Sequence, residues 1–231
     1  MYSNRYIFLY ASAMVILVAL VLSGAATLLR PLQERNMRIE KMQNILATIN
    51  VEASKAEVET LFNQYIVAAR IVDAQGNELE GDAFEIDLQD ENQKAVADRQ
   101  LPVFVAEVDG SRYFIVPVRG NGLWGPLWGY VGLDEQLTTI IGANFDHGSE
   151  TPGLGAEIAD DDFQNQFAGK RIFDQEGTFR SVRVVKGGAP EGDPHGVDAI
   201  SGGTITSNGV TNMLRDGLAV YEAYFRQMKP A

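Results

Sequence analysis

Apolar and polar positions divide the chain into a continuously apolar start and a remainder that switches between helical and strand periods. Ile7 to Leu29 reads IFLYASAMVILVALVLSGAATLL and carries no charge. At ~1.5 Å rise per residue this stretch can cross a hydrocarbon core of ~30 Å. Ser23-Gly24-Ala25 has the small residues of a signal-peptide cleavage site. Signal h-regions, however, run only about 7–15 residues, so a retained anchor is the expectation. Apolar positions Met37, Met42, Ile45, Leu46 and Ile49 then predict an amphipathic helix over 31–50. Ser54 and Glu57 have capping-box spacing, which predicts a helix carrying Val58, Leu61, Phe62 and Tyr65 inward. Residues 66–80 read as a strand pair broken at Gly76, and 81–100 as exposed and irregular. Val103–Val108 and Tyr113–Val118 flank Asp109-Gly110 and predict a hairpin.

Further on, glycine-rich turns at 120–129 lead into another strand, and 145–155 reads as loop. A short helix is expected over 162–167, with strands at 170–173 and 181–186. Val210, Met213, Leu214, Leu218, Tyr221, Phe225 and Met228 recur at helical spacing, predicting one helix over 207–228 capped by Ser207 or Asn208. The expected fold class is α+β: an antiparallel sheet with flanking helices, preceded by one N-terminal transmembrane helix. The corresponding division is a short segment 1–6, a membrane helix 7–29, and a soluble domain 30–231 that includes the membrane-proximal helix.

Composition narrows the chemistry. A formal net charge of −12 over 231 residues, without a basic stripe, disfavours nucleic acid as a partner. The absence of cysteine excludes disulfides, thiolate zinc and iron–sulfur clusters within the chain. Two histidines, His147 and His195, are too few for a multi-histidine metal site, so no metal is expected. No Gly-x-Gly-x-x-Gly fingerprint is present. Redox work here would need an organic cofactor.

One run concentrates hydroxyls and glycines: Asp198-Ala-Ile-Ser201-Gly202-Gly203-Thr204-Ile-Thr206-Ser207, just ahead of the last predicted helix. Unpaired N–H groups and the positive dipole end gather at such a start and favour a phosphate. Gly202 and Gly203 remove side chains that would block its approach. On spacing alone, a Ser/Thr-rich helix start with no ligand is the commoner outcome.

The same run resembles the flavinylation motif of FMN-binding domains in respiratory complexes. The usual motif has Ala where this chain has Gly203. Two further blocks resemble that family: His147-Gly-Ser-Glu150-Thr151-Pro-Gly153-Leu154-Gly155-Ala-Glu157-Ile158, and Gly122-Leu-Trp124-Gly125 with Trp128-Gly129. Together with the N-terminal span, and with Tyr2–Phe8 and Pro31–Asn36 flanking it, they are similar to the family of the C subunits of Na+-translocating NADH:quinone reductases. The family of the G subunits of ferredoxin:NAD electron-transport complexes is the alternative, and a cofactor-free anchored binding domain is the reading of a different class.

The resemblance implies FMN attached through a phosphoester by a dedicated flavin transferase, at the motif's last Thr or Ser, here Thr206. Thr204 and Ser207 are the other acceptors. It also implies other members of the reductase complex as partners: a membrane flavin subunit and one holding FAD and iron–sulfur groups. Electrons would pass from NADH through this FMN toward quinone, coupled to Na+ export by the complex. The chain would hold no complete active site. Its single apolar helix, without an ionisable residue, offers no ion path.

Within this frame Trp124, Trp128 and Leu154 are candidates to wall the isoalloxazine ring. The Thr151 hydroxyl and the Gly153 N–H could donate to its pyrimidine edge. Glu150 and Gly155 belong to the same block. Asp198 would assist attachment or hold a turn, and Lys186 or Arg183 would balance phosphate charge. Arg30, Arg35, Arg38 and Lys41 after the span favour a cytoplasmic soluble domain by charge alone. The resemblance implies the outer face of the bacterial cytoplasmic membrane instead.

Overall fold

The computed structural model describes residues 3–228. Two compact units divide between Lys41 and Met42. Helix α1 (Asn4–Ala47) is 44 residues long, and its apolar part is long enough to cross a membrane. The separate helix expected from 31 onward is instead its continuation, with Pro31 inside. Proline costs its own backbone bond, but each residue added to a running helix gains one. An Arg30–Glu34 pair at 2.9 Å straddles the site on the helix surface.

In the second unit, six strands form an antiparallel sheet in the order β2-β1-β3-β4-β5-β6. They are β1 (Ile66–Val72), β2 (Glu78–Leu79), β3 (Leu101–Val108), β4 (Ser111–Asn121), β5 (Pro126–Leu133) and β6 (Ile140–His147). The antiparallel α+β expectation therefore holds. Asp109 (φ 52°) and Gly110 (φ 80°) turn the β3–β4 hairpin as a mirror-image turn requires. Strand β6 extends to His147, so the expected loop over 145–155 starts three residues late.

Alternation places Leu127, Val131 and their register partners on one face of the sheet, and Trp128, Tyr130 and Gly132 on the other. The first face receives helix α5 (Thr204–Ala219). The second is covered by Thr48, whose backbone meets Gly132 and Gly142, and by α2 (Val58–Tyr65), where Phe62, Phe84 and Phe104 meet edge to face at 5.2–6.5 Å. Phe84 belongs to the stretch read as irregular. That stretch also folds a short helix, α3 (Leu88–Glu91), capped by Asp87 accepting from the Gln89 N–H at 2.7 Å. The Ser54 hydroxyl donates to the Glu57 carboxylate at 2.6 Å, and α2 starts only after Glu57, so the capping box does not form.

Beyond β6 come a 3-10 turn at Gly155–Ala159 and α4 (Asp161–Gln164). Two three-residue strands, β7 (Arg183–Val185) and β8 (Gly196–Asp198), pair in parallel. The strand expected at 170–173 is reduced to isolated bridges, Thr139 with Arg171 and Phe173 with Phe179. The expected helix over 207–228 is two, α5 and α6 (Glu222–Met228). The break falls at the fully buried Tyr221, whose hydroxyl donates to the Pro102 carbonyl at 3.1 Å. Helix α5 lies close on β4 and β5 because Gly120 sits against Met213 and Gly209 against the Asn121 carbonyl.

Candidate functional site

Helix α5 begins three residues earlier than predicted, at Thr204, behind Gly203. No side chain caps it, so Ser207 and Asn208 lie inside the helix rather than at its cap. The Ser207 N–H already bonds the Gly203 carbonyl at 2.9 Å. The N–H groups of Thr204, Ile205 and Thr206 precede the first intrahelical bond, and among the described residues nothing accepts from them. Gly202, at φ 75°, makes the turn into the helix. The first turn thus presents free donors and the positive dipole end to an anion.

The hydroxyls of this run differ sharply. Thr206 is 2% exposed and Ser207 1%. The Thr206 hydroxyl donates to Glu150 Oε2 at 2.6 Å, and Ser207 Oγ accepts from the Ile200 N–H at 3.3 Å. Thr204 is half-buried and Ser201 exposed, and neither hydroxyl has a partner among the described residues.

Glu150 ties the resembling blocks together. It is 5% exposed. Besides the Thr206 hydroxyl it accepts the Trp124 N–H at 2.9 Å, with the Leu123 N–H close by. Its own N–H donates to His147 Nδ1 at 3.2 Å. Burial pushes the carboxyl pKa up, but the Thr206, Trp124 and Leu123 donors outweigh it and hold the group below its ordinary value. Gly155 is glycine because a Cβ there would meet both Glu150 Oε2 and Thr206 Oγ1. Leu154, 41% exposed, lies over Gly202 and Gly203. Trp124 at 66%, Leu123 at 47% and Ile205 at 56% leave further apolar surface on these segments.

Other expected residues fall elsewhere. Trp128 pairs with Arg119 and Asp146 and points to the face opposite α5, because alternation reverses it relative to Leu127. It is separated from the first turn of α5. The Gly153 N–H is already donated to Glu157 Oε1 at 2.9 Å, so it is not a free donor, whereas the Thr151 hydroxyl is exposed and unpartnered among the described residues. Asp198 accepts the Ala189 N–H at 2.7 Å and so holds a turn. Lys186 lies on that turn just beyond β7, not on a strand, and makes no ion pair among the described residues. Arg183 is paired with Asp193 at 2.8 Å. A cleft of about 320 Å³ beside Ser201 is lined by Glu157, Asp160, Asp162 and Asp198, and such walls repel a phosphate. Sequence reading missed Leu123 and Ile205. Both stood inside blocks already singled out, Leu123 beside Trp124 and Ile205 between Thr204 and Thr206, but their exposure depends on the tertiary fold.

Residues 122–219 match the model of the FMN-binding domain. The chain is 35% identical over 214 residues to the C subunit of the Na(+)-translocating NADH-quinone reductase of Vibrio vulnificus, covering 83% of this chain and 82% of that protein. To the protein of that name from Pseudomonas aeruginosa it is 31% identical over 95% of both chains. A crystal structure of the C subunit of the Na(+)-translocating NADH-quinone reductase from Parabacteroides distasonis superposes with a TM-score of 0.79 at 47% identity, covering 85% of this chain and 96% of that one. Shewanella oneidensis NqrC gives 0.70 at 28%, covering 84% and 98%. The shared blocks, the sheet with α5 on one face and these relatives agree: the chain belongs to the family of the C subunits of Na(+)-translocating NADH-quinone reductases.

Proposed function

We propose that this chain is a membrane-anchored flavoprotein subunit whose FMN is held by a phosphoester at the start of α5. It relays electrons from NADH toward quinone within a Na+-exporting reductase. One observation carries the reading: free N–H groups at the first turn of α5 stand beside a threonine hydroxyl that is accessible and uncommitted among the described residues. That hydroxyl belongs to Thr204. The burial of Thr206 and its bond to Glu150 argue against its reaction, so we place the attachment at Thr204 and give Thr206 a supporting place. The residues present fit the group. The donors of 204–206 would receive the phosphate, with Gly202 leaving the approach open. Trp124 offers a flat apolar face to a ring and Leu154 an aliphatic contact. Bound FMN supplies reversible electron uptake, and the chain supplies its anchoring and surroundings.

Maturation would require a flavin transferase, and the partners would be the membrane flavin subunit and the one holding FAD and iron–sulfur groups. Helix α1 would cross the cytoplasmic membrane with the second unit on its outer face. A C-terminal reporter active only in the cytoplasm would overturn that orientation.

The attachment is tested by expressing the chain with its flavin transferase, denaturing it and following fluorescence that stays with the protein. Thr204→Ala should abolish the signal and Thr206→Ala should retain it. Retention in the first variant with loss in the second would sink the Thr204 assignment. A colourless wild-type protein would sink the flavoprotein reading.

A further inference from the structure

Glu150 is buried, yet no lysine or arginine pairs with it among the described residues. A buried carboxylate is costly unless its oxygens are satisfied. Here the donors come from stretches far apart in sequence. Oε2 takes the Thr206 hydroxyl from α5, and Oε1 takes the Trp124 N–H from the β4–β5 turn. Its backbone N–H ties to His147 at the end of β6. Around these contacts the packing leaves no slack: an added Cβ at Gly122 would meet Glu150 Oε1, and one at Gly155 would meet Oε2.

The turn at 122–125 has little else to hold it. Its own closure is one bond, from the Gly122 N–H to the Gly125 carbonyl at 2.8 Å, and its side chains Leu123 and Trp124 face solvent. Nor does α5 have a side-chain cap that would fix its first turn.

We infer that Glu150 is the positioning residue of the flavin platform: its carboxylate pins the Leu123–Trp124 turn to the first turn of α5, so both segments are set before any flavin arrives. The inference rests on the flavin reading for its purpose, while the pin itself is a property of the apo chain. Acceptors are what the pin needs. Glutamine can still accept the Trp124 N–H through its oxygen and donate to the Thr206 oxygen through its nitrogen. Alanine supplies neither.

The full chain in detergent, made without the flavin transferase, tests the pin alone by amide hydrogen exchange. In Glu150→Ala the Trp124 amide should exchange at least about tenfold faster, as loss of a charge-assisted bond implies. Amides of the β3–β4 hairpin should keep their protection, which shows that the domain is still folded. Glu150→Gln should restore most of the protection. Unchanged exchange at Trp124 in the alanine variant would overturn the inference, as would a glutamine variant no better than alanine. If alanine unfolds the domain, Thr206→Val cuts one strand of the pin, and unchanged exchange at Trp124 there would equally overturn it. In flavin-loaded protein, the visible circular dichroism of the flavin should weaken in Glu150→Ala and return in Glu150→Gln. A wild-type chain that takes no flavin while the apo exchange result stands would reject the flavin reading and leave the pin.

Discussion

The two faces of the central sheet are built with the same device and end in different chemistry. On the α2 face, Gly132 and Gly142 admit the Thr48 backbone carbonyl, and the remaining space is filled by Phe62, Phe84 and Phe104. On the α5 face, Gly122 and Gly155 admit the Glu150 carboxylate at the edge of the apolar core, and N–H groups at 204–206 stay free among the described residues. Close approach on the first face serves packing, which is worth most when no polar group is left over. On the second it serves a buried anion whose donors come from loops, and it leaves donors unspent. Both faces keep the domain folded, the second through the apolar core under α5, but only the second also keeps a place ready for a ligand, at the first turn of that helix.

Breaking the packed face should cost the most stability. Phe104→Ala should destabilise the domain by about 3–5 kcal/mol in denaturant titration, the range for truncating a buried phenylalanine. The folded fraction should still take up covalent flavin, since Phe104 lies across the sheet from α5. Overfilling the other face should cost less stability and more function. Gly155→Ala drives a methyl into Glu150 and Thr206 and should cost about 1–3 kcal/mol. Flavin content, read by fluorescence on denaturing gels, should fall further than stability does.

Acidification separates the faces by charge. Glu150 is held below its ordinary pKa in the folded chain, so its contribution is present above the unfolded value and is lost as pH falls through the folded one. Thermal midpoints of the wild type should therefore drop more steeply below the usual carboxylate range than those of Glu150→Gln. Equal slopes would show that the carboxylate adds no pH dependence. The smallest stability effects belong to the tryptophans at the surface. Trp124→Ala should stay within about 0.5 kcal/mol of wild type, because the side chain is exposed, yet change the emission of attached flavin. Trp128→Ala should leave that emission unaltered, because its side chain points to the other face.

Much of this was legible in local patterns. The hairpin at Asp109-Gly110 was readable because a two-residue turn with positive φ at both positions admits few residues. The helix after the Thr/Ser run was readable from its apolar period, although its start lay three residues early. What local patterns misjudged involved partners distant in sequence. Pro31 reads as a helix start and sits inside α1. The stretch 81–100 reads as loop, yet Phe84 completes an aromatic cluster with Phe62 and Phe104. Tyr221 belongs to a helical period, yet the break at Tyr221 goes with its bond to Pro102, 119 positions away.

The candidate site shows the same division. The sequence by itself determined which residue types gather near α5, that a phosphate-friendly helix start follows them, and that one apolar segment could serve as an anchor. These depend on composition and on contacts within a turn or two. Only the tertiary structure decided which hydroxyl is open. Thr204 and Thr206 are two residues apart and chemically alike, but helix geometry turns one toward solvent and the other into the Glu150 carboxylate, 56 positions away. It also sent Trp128 across the sheet while leaving Trp124 beside the pin. Burial and hydrogen bonding depend on which segments meet in space, and this chain brings them together through its sheet.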